Sequence, residues 1–492
     1  MTDRAAMIFG NEIDGKTYAK ACRSKNKYAR KFSHDPNAIC HLGIEELPVV
    51  GGRFGALRLM PADSRMPAAS LDDIENPIVI GNIRMGFGHY RIAMAMASAA
   101  HALGYTPLWF DLMGFPDTTC TKLISHQNDL YSMGSRLSQR LPLFNKLVWE
   151  PLNSEGFRKL TYNAADQKAS ELMVAPYADL PKGIPFIGTH AWPSQAAVHA
   201  GLANVVNAIP DNWPMALHLA EGATHAVQTP SAYLGYKALR GMGGKRVLKP
   251  MPEGSLFYTG HYIDHELVLN IPFDCARRVE RATTGGPLRY LLSVGGAGAQ
   301  FDLFRGIIEH LLPYIEAGKA TLFVNVGDHV NVWRKLRVAI PTLASAVEHF
   351  NDFEATAAFA EAALDGEVHG VHVFGDDDIF GAVYSTNLLM RTCDLLVTKP
   401  GELAFYPVPK LMIKRVGGHE AWGAIRSAEL GDGTYELETL PEICGMIDLV
   451  QAEPSIVVDM CDNIEAADAV GIYDGAYHVV HLAAQEADAA GA

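Results

Sequence analysis

Residues 79–97 run Val-Ile-Gly-Asn-Ile-Arg-Met-Gly-Phe-Gly-His-Tyr-Arg-Ile-Ala-Met-Ala-Met-Ala. A short apolar strand feeds a glycine turn, one histidine and a helix of small residues. In open α/β sheets ligands bind at the carboxyl ends of strands. Gly86, Gly88 and His89 are placed there. Glycines let backbone approach a ligand closely, and a following helix N-terminus favours negative charge. An imidazole on such a turn is a general base near neutral pH. The plainer alternative is a tight turn carrying one solvent-facing histidine.

A second segment, Gly188-Thr-His190-Ala-Trp192-Pro-Ser194-Gln195, follows another predicted strand and ends at the same sheet edge. Thr189, His190 and Trp192 are candidates for contact with a ligand there, Trp192 by stacking on a sugar or lipid head; the alternative is an ordinary loop with a core tryptophan. Ser194 lacks the G-x-S-x-G frame of a hydrolase nucleophile. The run Gly375-Asp-Asp-Asp378 reads as an acidic turn, because consecutive aspartates diverge on any regular element. Asp328-His329 has no partners at ligand spacing, and no metal site is assigned.

Positioning these residues requires strands alternating with helices, which implies parallel sheets. Strands are expected at Ile78–Gly81, Thr106–Phe110, Pro185–Gly188, Ala203–Ile209 and Ala223–Gln228. A second series starts at Arg289 and continues through Ala320–Val326, Val371–Phe374, Leu395–Thr398 and Lys410–Ile413. With 492 residues, two domains are expected. The divisions are an N-terminal extension (1–75), a first Rossmann-like domain (76–275), a second (276–454) and an acidic helical tail (455–492) that packs back on the first. The join is placed near Ile271–Pro287.

Five segments in this order resemble the GT-B glycosyltransferases. The likeness is greatest to the group of monogalactosyldiacylglycerol synthases, processive diacylglycerol glucosyltransferases and the lipid II N-acetylglucosaminyltransferase. They are Gly86-Phe-Gly-His89, Val206–Trp213 with Asp211, Ala223–Gly241, Phe257–Ile263, and the pair Ser293–Gln300 and Lys414–Glu420. The resemblance spans about residues 77–435. It implies an α/β GT-B fold, two Rossmann-like domains facing across a cleft, with an acceptor domain first and a nucleotide-sugar domain second. It assigns His89 and Asp211 as base candidates, and Gly86, Gly88, Gly295, Gly296, Gly298, Gln300, Lys399, Gly401, Glu402, Gly417, Gly418, His419 and Glu420 to the donor. It further implies a metal-independent transfer from a UDP-linked sugar, with no other cofactor, to a lipid-linked or amphipathic hydroxyl acceptor.

The chain departs from this family after Lys399-Pro-Gly401. Family members continue with a long donor-binding helix carrying a ribose-binding glutamate. Here Gly401-Glu-Leu-Ala-Phe-Tyr-Pro407-Val-Pro409 follows, and two prolines limit any helix to about one turn. Glu402 is the replacement carboxylate. The departure keeps open a binding or regulatory protein that has lost donor chemistry, or another GT-B chemistry such as an epimerase.

Net charge is −14. Residues 276–492 hold 31 acidic against 15 basic residues, and after Arg426 there are 14 acidic residues and no Lys or Arg. Phosphate contacts need clustered cations, so nucleic acid is not an expected partner. Seven scattered cysteines without a CxxC pair indicate reduced thiols and a cytoplasmic protein. Residues 136–159 mix cations with Leu, Phe and Trp, a pattern suited to contact with a membrane's inner face; a helical lid is the alternative. The basic stretch Lys16–Lys31, flanked by Asp14 and Asp35, lies outside the resemblance and reads as a solvated helix face, contact with anionic lipid or nucleic acid being the alternative. The oligomeric state is not legible.

Overall fold

The computed structural model describes residues 3–63, 65–141, 155–294 and 300–490. The chain forms two compact units. The first comprises Met1–Leu47, Gly51–Asp264 and Gly475–Ala492; the second comprises Pro48–Val50 and His265–Asp474.

In the first unit a small antiparallel hairpin, β1 (Met7–Ile8) and β2 (Asn11–Glu12), precedes an eight-stranded sheet. Its strands are β3 (Leu42–Glu46), β4 (Leu57–Pro61), β5 (Pro77–Asn82), β6 (Thr106–Asp111), β7 (Phe186–Gly188), β8 (Val205–Ala208), β9 (Thr224–Val227) and β10 (Leu256–Tyr258). The spatial order is β10-β9-β8-β7-β5-β6-β4-β3, parallel except for the β3–β4 pair. Val79 and Ile80 at the centre are fully buried, as expected of a parallel strand covered on both faces.

The helix Gly88–Ala102 is almost wholly buried from Tyr90 to Ala100. Its alanines allow close approach on every side, and the C-terminal helix Gly475–Ala490 packs against it. The preceding helix Ser455–Asp468 belongs to the second unit. Residues 1–75 also take part in the first unit, since β3 and β4 extend its sheet and the helix Gly15–Lys31 packs on the helix Leu160–Ser170.

The second unit holds β11 (Leu288–Ser293), β12 (Ala320–Asn325), β13 (Val347–Phe350), β14 (Gly370–Gly375), β15 (Leu395–Thr398) and β16 (Lys410–Met412). Their order is β13-β14-β12-β11-β15-β16, and every pair is parallel. The protein is thus mixed α/β, with one Rossmann-like sheet in each unit, as the GT-B expectation requires. Residues 271–287 are mostly helix rather than linker. Leu267, Ile271, Cys275, Arg278 and Ala282 recur at helical spacing and are buried on one face of the helix His265–Thr284, which accommodates Pro272. No helix among the described residues is long and apolar enough to cross a membrane.

Candidate functional site

Each sheet has one place where the chain leaves in opposite directions from adjacent strands, and a crevice opens outside the carboxyl ends there. In the first unit this is the β5/β7 pair: β6 lies on one side and β8 to β10 on the other. The registers Val79↔Phe186 and Gly81↔Gly188 bring the ends of both strands level. The loops that emerge, 82–88 and 189–190, carry His89 and His190.

Gly86 adopts φ +79°, which side-chain-bearing residues avoid, so the turn into the helix at Gly88 requires glycine. His89 then sits in the first turn of that helix. Its Nδ1 donates to the Thr189 carbonyl at 2.8 Å. A carbonyl can only accept, so Nδ1 carries the proton of this contact.

His190 caps the helix Ala191–His199, its Nδ1 accepting from the Trp192 backbone N–H at 3.1 Å. Burial first, then the neighbouring His89 and His218, hold the His190 imidazole well below its usual range, so it stays neutral. The His89 and His190 rings meet edge to face with centroids 4.8 Å apart. Asp211, two residues beyond Ile209 at the end of the β8 segment, lies 3.0 Å from Nε2 of the buried His218. The edge therefore gathers His89, His190, His218 and Asp211. Sequence reading missed His218, since nothing in Ala216-Leu-His218 sets it apart.

Trp192 is 5% exposed and belongs to the hydrophobic cluster of this unit. The open stacking face expected of it is not formed, because its helix lies flat against β7 and β8. Behind it Asp166 is buried beside the indole. Burial pushes the Asp166 carboxyl up to about 8, which the indole N–H offsets only in part.

Between its unfolded value near 3.8 and about 8, folded Asp166 holds a proton that the unfolded chain releases. Stability from this group is therefore present at acid pH and lost as pH rises through that window. Asp166→Asn should gain stability over the natural chain as pH rises, by on the order of a few kcal/mol at pH about 9. Denaturant melts of both proteins between pH 5 and 9 check this, and parallel curves would refute it.

In the second unit the reversal falls between β11 and β15. Gly295, Gly296 and Gly298 lie outside the described residues. Gln300 precedes the helix Phe301–Glu316, and its Nε2 donates to the Lys414 carbonyl at 2.5 Å, tying the start of that helix to the segment after β16. Lys399 forms an ion pair with Glu420. The Glu420 carboxylate also accepts from the Val416 and Gly417 N–H groups at 2.8 and 3.1 Å, so Lys399 and these amides hold it below its usual range against the cost of burial.

Glu420 is thus a loop-shaping residue, next to half-exposed His419 and exposed Gly418. Gly423 lets the helix Ala421–Leu430 press on the Pro400 carbonyl; a Cβ there would fall 2.4 Å from that oxygen. After Gly401 the chain makes a single 3₁₀ turn, Glu402–Phe405, as Pro407 and Pro409 dictate. Glu402 is half-buried and has no polar partner among the described residues.

Among the described residues no group of three His, Cys, Asp or Glu side chains is placed to hold a metal ion. The run Asp376–Asp378 is structural: Asp378 accepts from the Phe380 and Gly381 N–H groups at the start of the helix Ile379–Thr392.

Residues 7–238 match the family described as Domain of unknown function (DUF6937), and residues 251–484 match Domain of unknown function (DUF6938). None of the curated proteins matches the chain. Among solved structures it is similar to a trehalose 6-phosphate synthase from Burkholderia multivorans (11% identity, 85% of this chain and 100% of that one, TM-score 0.44). It is also similar to a UDP-GlcNAc 2-epimerase from Neisseria meningitidis bound to UDP-GlcNAc (10%, 82% and 98%, 0.45). A third is the spinosyn rhamnosyltransferase SpnG complexed with thymidine diphosphate (12%, 79% and 96%, 0.30).

Proposed function

We propose that the chain is a GT-B glycosyltransferase that moves a sugar from a nucleotide-sugar, UDP-linked in our reading, to a hydroxyl of a lipid-linked or amphipathic acceptor without a metal. The observation that carries this reading is the His89–Thr189 hydrogen bond, which orients the imidazole at the sheet edge with Nδ1 as its donor. The hydroxyl gives its proton to Nε2 as its oxygen attacks the anomeric carbon. The bond from that carbon to the diphosphate oxygen breaks, and the electron pair leaves with the nucleoside diphosphate. Asp211, beside His218, is the alternative base. In the second unit, backbone amides around Gly417–Gly418 and the loop before Gln300 are assigned to the growing diphosphate charge. Lys399 neutralises Glu420 there, so that carboxylate does not repel the diphosphate.

The short turn Glu402–Phe405 favours a second reading, a binding or regulatory protein without donor chemistry, because the family's ribose-binding helix has no counterpart here. A third, another nucleotide-sugar chemistry such as epimerisation, differs from the first only in its products. Calorimetry and thermal shift with UDP-, GDP-, ADP- and TDP-sugars separate these readings. One nucleotide-sugar is expected to bind and raise the melting temperature by mass action. Silence across the panel at millimolar ligand would replace the transferase with the binding protein. Product analysis with the bound sugar then distinguishes transfer from epimerisation.

A further inference from the structure

The helix Gly15–Lys31 contains seven cations and no acidic residue. Lys16, Lys20, Arg23, Lys27 and Arg30 follow the spacing four, three, four, three, which aligns them along one face. All five are exposed, and none has an ion-pair partner among the described residues. They make a straight row about 21 Å long at 1.5 Å rise per residue. The opposite face is occupied: Ala21 is buried, Tyr18 and Tyr28 pack on the hydrophobic clusters, and Lys25 pairs with Glu171. Asp14 fixes the start of the helix by accepting from the Thr17 N–H. The row is therefore rigidly presented.

A second, independent feature adjoins it. Lys31 at the end of the helix donates to His126 Nε2 at 2.9 Å. His126 opens a face of the helix Thr119–Arg140 on which Leu130, Met133, Leu137 and the capping residue Leu141 follow at helical spacing. These four are 42, 57, 39 and 50% exposed. The exposed apolar row thus starts from the histidine that meets the end of the basic helix.

We infer that these two rows form a docking surface for an anionic phospholipid membrane. Cations bind the headgroups and apolar side chains enter the boundary with the acyl chains, the combination that holds a protein in the plane of an interface. A nucleic-acid backbone complements the cations but has no use for the leucines and methionine beside them. The proposal does not rest on the transfer reaction, and its test uses no substrate.

Full-length protein is sedimented with vesicles of phosphatidylcholine alone and with 30% phosphatidylglycerol, at low and at high salt. The natural chain is expected to bind the anionic vesicles only, and more weakly at high salt. The triple variant Lys20→Glu, Arg23→Glu, Lys27→Glu should lose on the order of a hundredfold in affinity, from three surface cations removed. The neutral triple variant Lys20→Gln, Arg23→Gln, Lys27→Gln serves if the charge reversals do not fold. Met133→Glu with Leu137→Glu should reduce the binding that survives high salt. Equal binding to both vesicle types, no vesicle binding, or unchanged binding by the triple variants overturns the proposal. So does binding of a single-stranded RNA, lost in the same variants, by a chain that ignores vesicles.

Discussion

His89→Ala is expected to lower turnover of the nucleotide-sugar identified by the ligand panel by about 10²–10⁴-fold, the usual worth of a positioned general base. KM for the donor should change little, because the donor contacts other than Gly86 and Gly88 are assigned to the second unit. The expectation rests on the proton position: with Nδ1 committed to the Thr189 carbonyl, only Nε2 can accept a proton from an acceptor. The structural cost should be small, about 1 kcal/mol for one neutral hydrogen bond at a half-buried site, so the melting curve should be nearly unchanged. Asp211→Asn is the companion variant. If His89 is the base, Asp211→Asn retains most of the activity, because the Asp211 carboxylate then acts only beside His218. If Asp211 is the base, the two results exchange. Full activity in His89→Ala would reduce the histidine to a pin between the β5 and β7 loops.

The strand ends were legible in the sequence because their signal is local. An apolar run, a glycine and a helix-forming stretch placed β5, β11 and β15 within a residue or two, and β15 matches its expected range. What pairs with those ends was less legible. Asp211 and His218 are seven residues apart and are brought together by a 3₁₀ turn at Ala216–His218. The Asp166–Trp192 contact joins two helices whose facing sides no periodicity announces. Trp192 illustrates the limit: composition makes an aromatic in a loop look like a platform, whereas packing between helix and sheet decides that it is core. The edge strand β13, Val347–Phe350, went unread because it is short and its first two residues are exposed.

The departure after Gly401 is a built structure, and its keystone predicts a large stability effect. Pro407 and Pro409 prevent a helix, so the Tyr406 and Val408 carbonyls find no helical partner although both residues are buried. Lys410, itself fully buried, donates to both, at 2.8 and 2.9 Å. Its third contact is the buried Asp432 carboxylate at 2.7 Å. That carboxylate also accepts from Ser427 Oγ at 2.6 Å and from Tyr473 OH at 3.2 Å. Burial pulls the Lys410 ammonium below its usual range, and Asp432 opposes that shift.

Lys410→Met keeps the bulk but leaves the buried Asp432 carboxylate without its cation and the Val408 carbonyl without its donor, while the Tyr406 carbonyl keeps the Val408 N–H at 2.9 Å. Breaking a buried pair from one side costs about 3–5 kcal/mol. The loss should shrink as pH falls, because an unpaired buried carboxylate takes up a proton in the folded state before it does so in the unfolded one. Adding Asp432→Asn to Lys410→Met should restore part of the stability by removing the stranded charge. The full-length protein is the proper sample, with amide exchange followed in peptides covering 406–432 alongside the melt. Protection there should fall most in the single variant. Unchanged exchange would mean that the prolines alone hold the segment, and the missing turns of helix would then need no compensating cation.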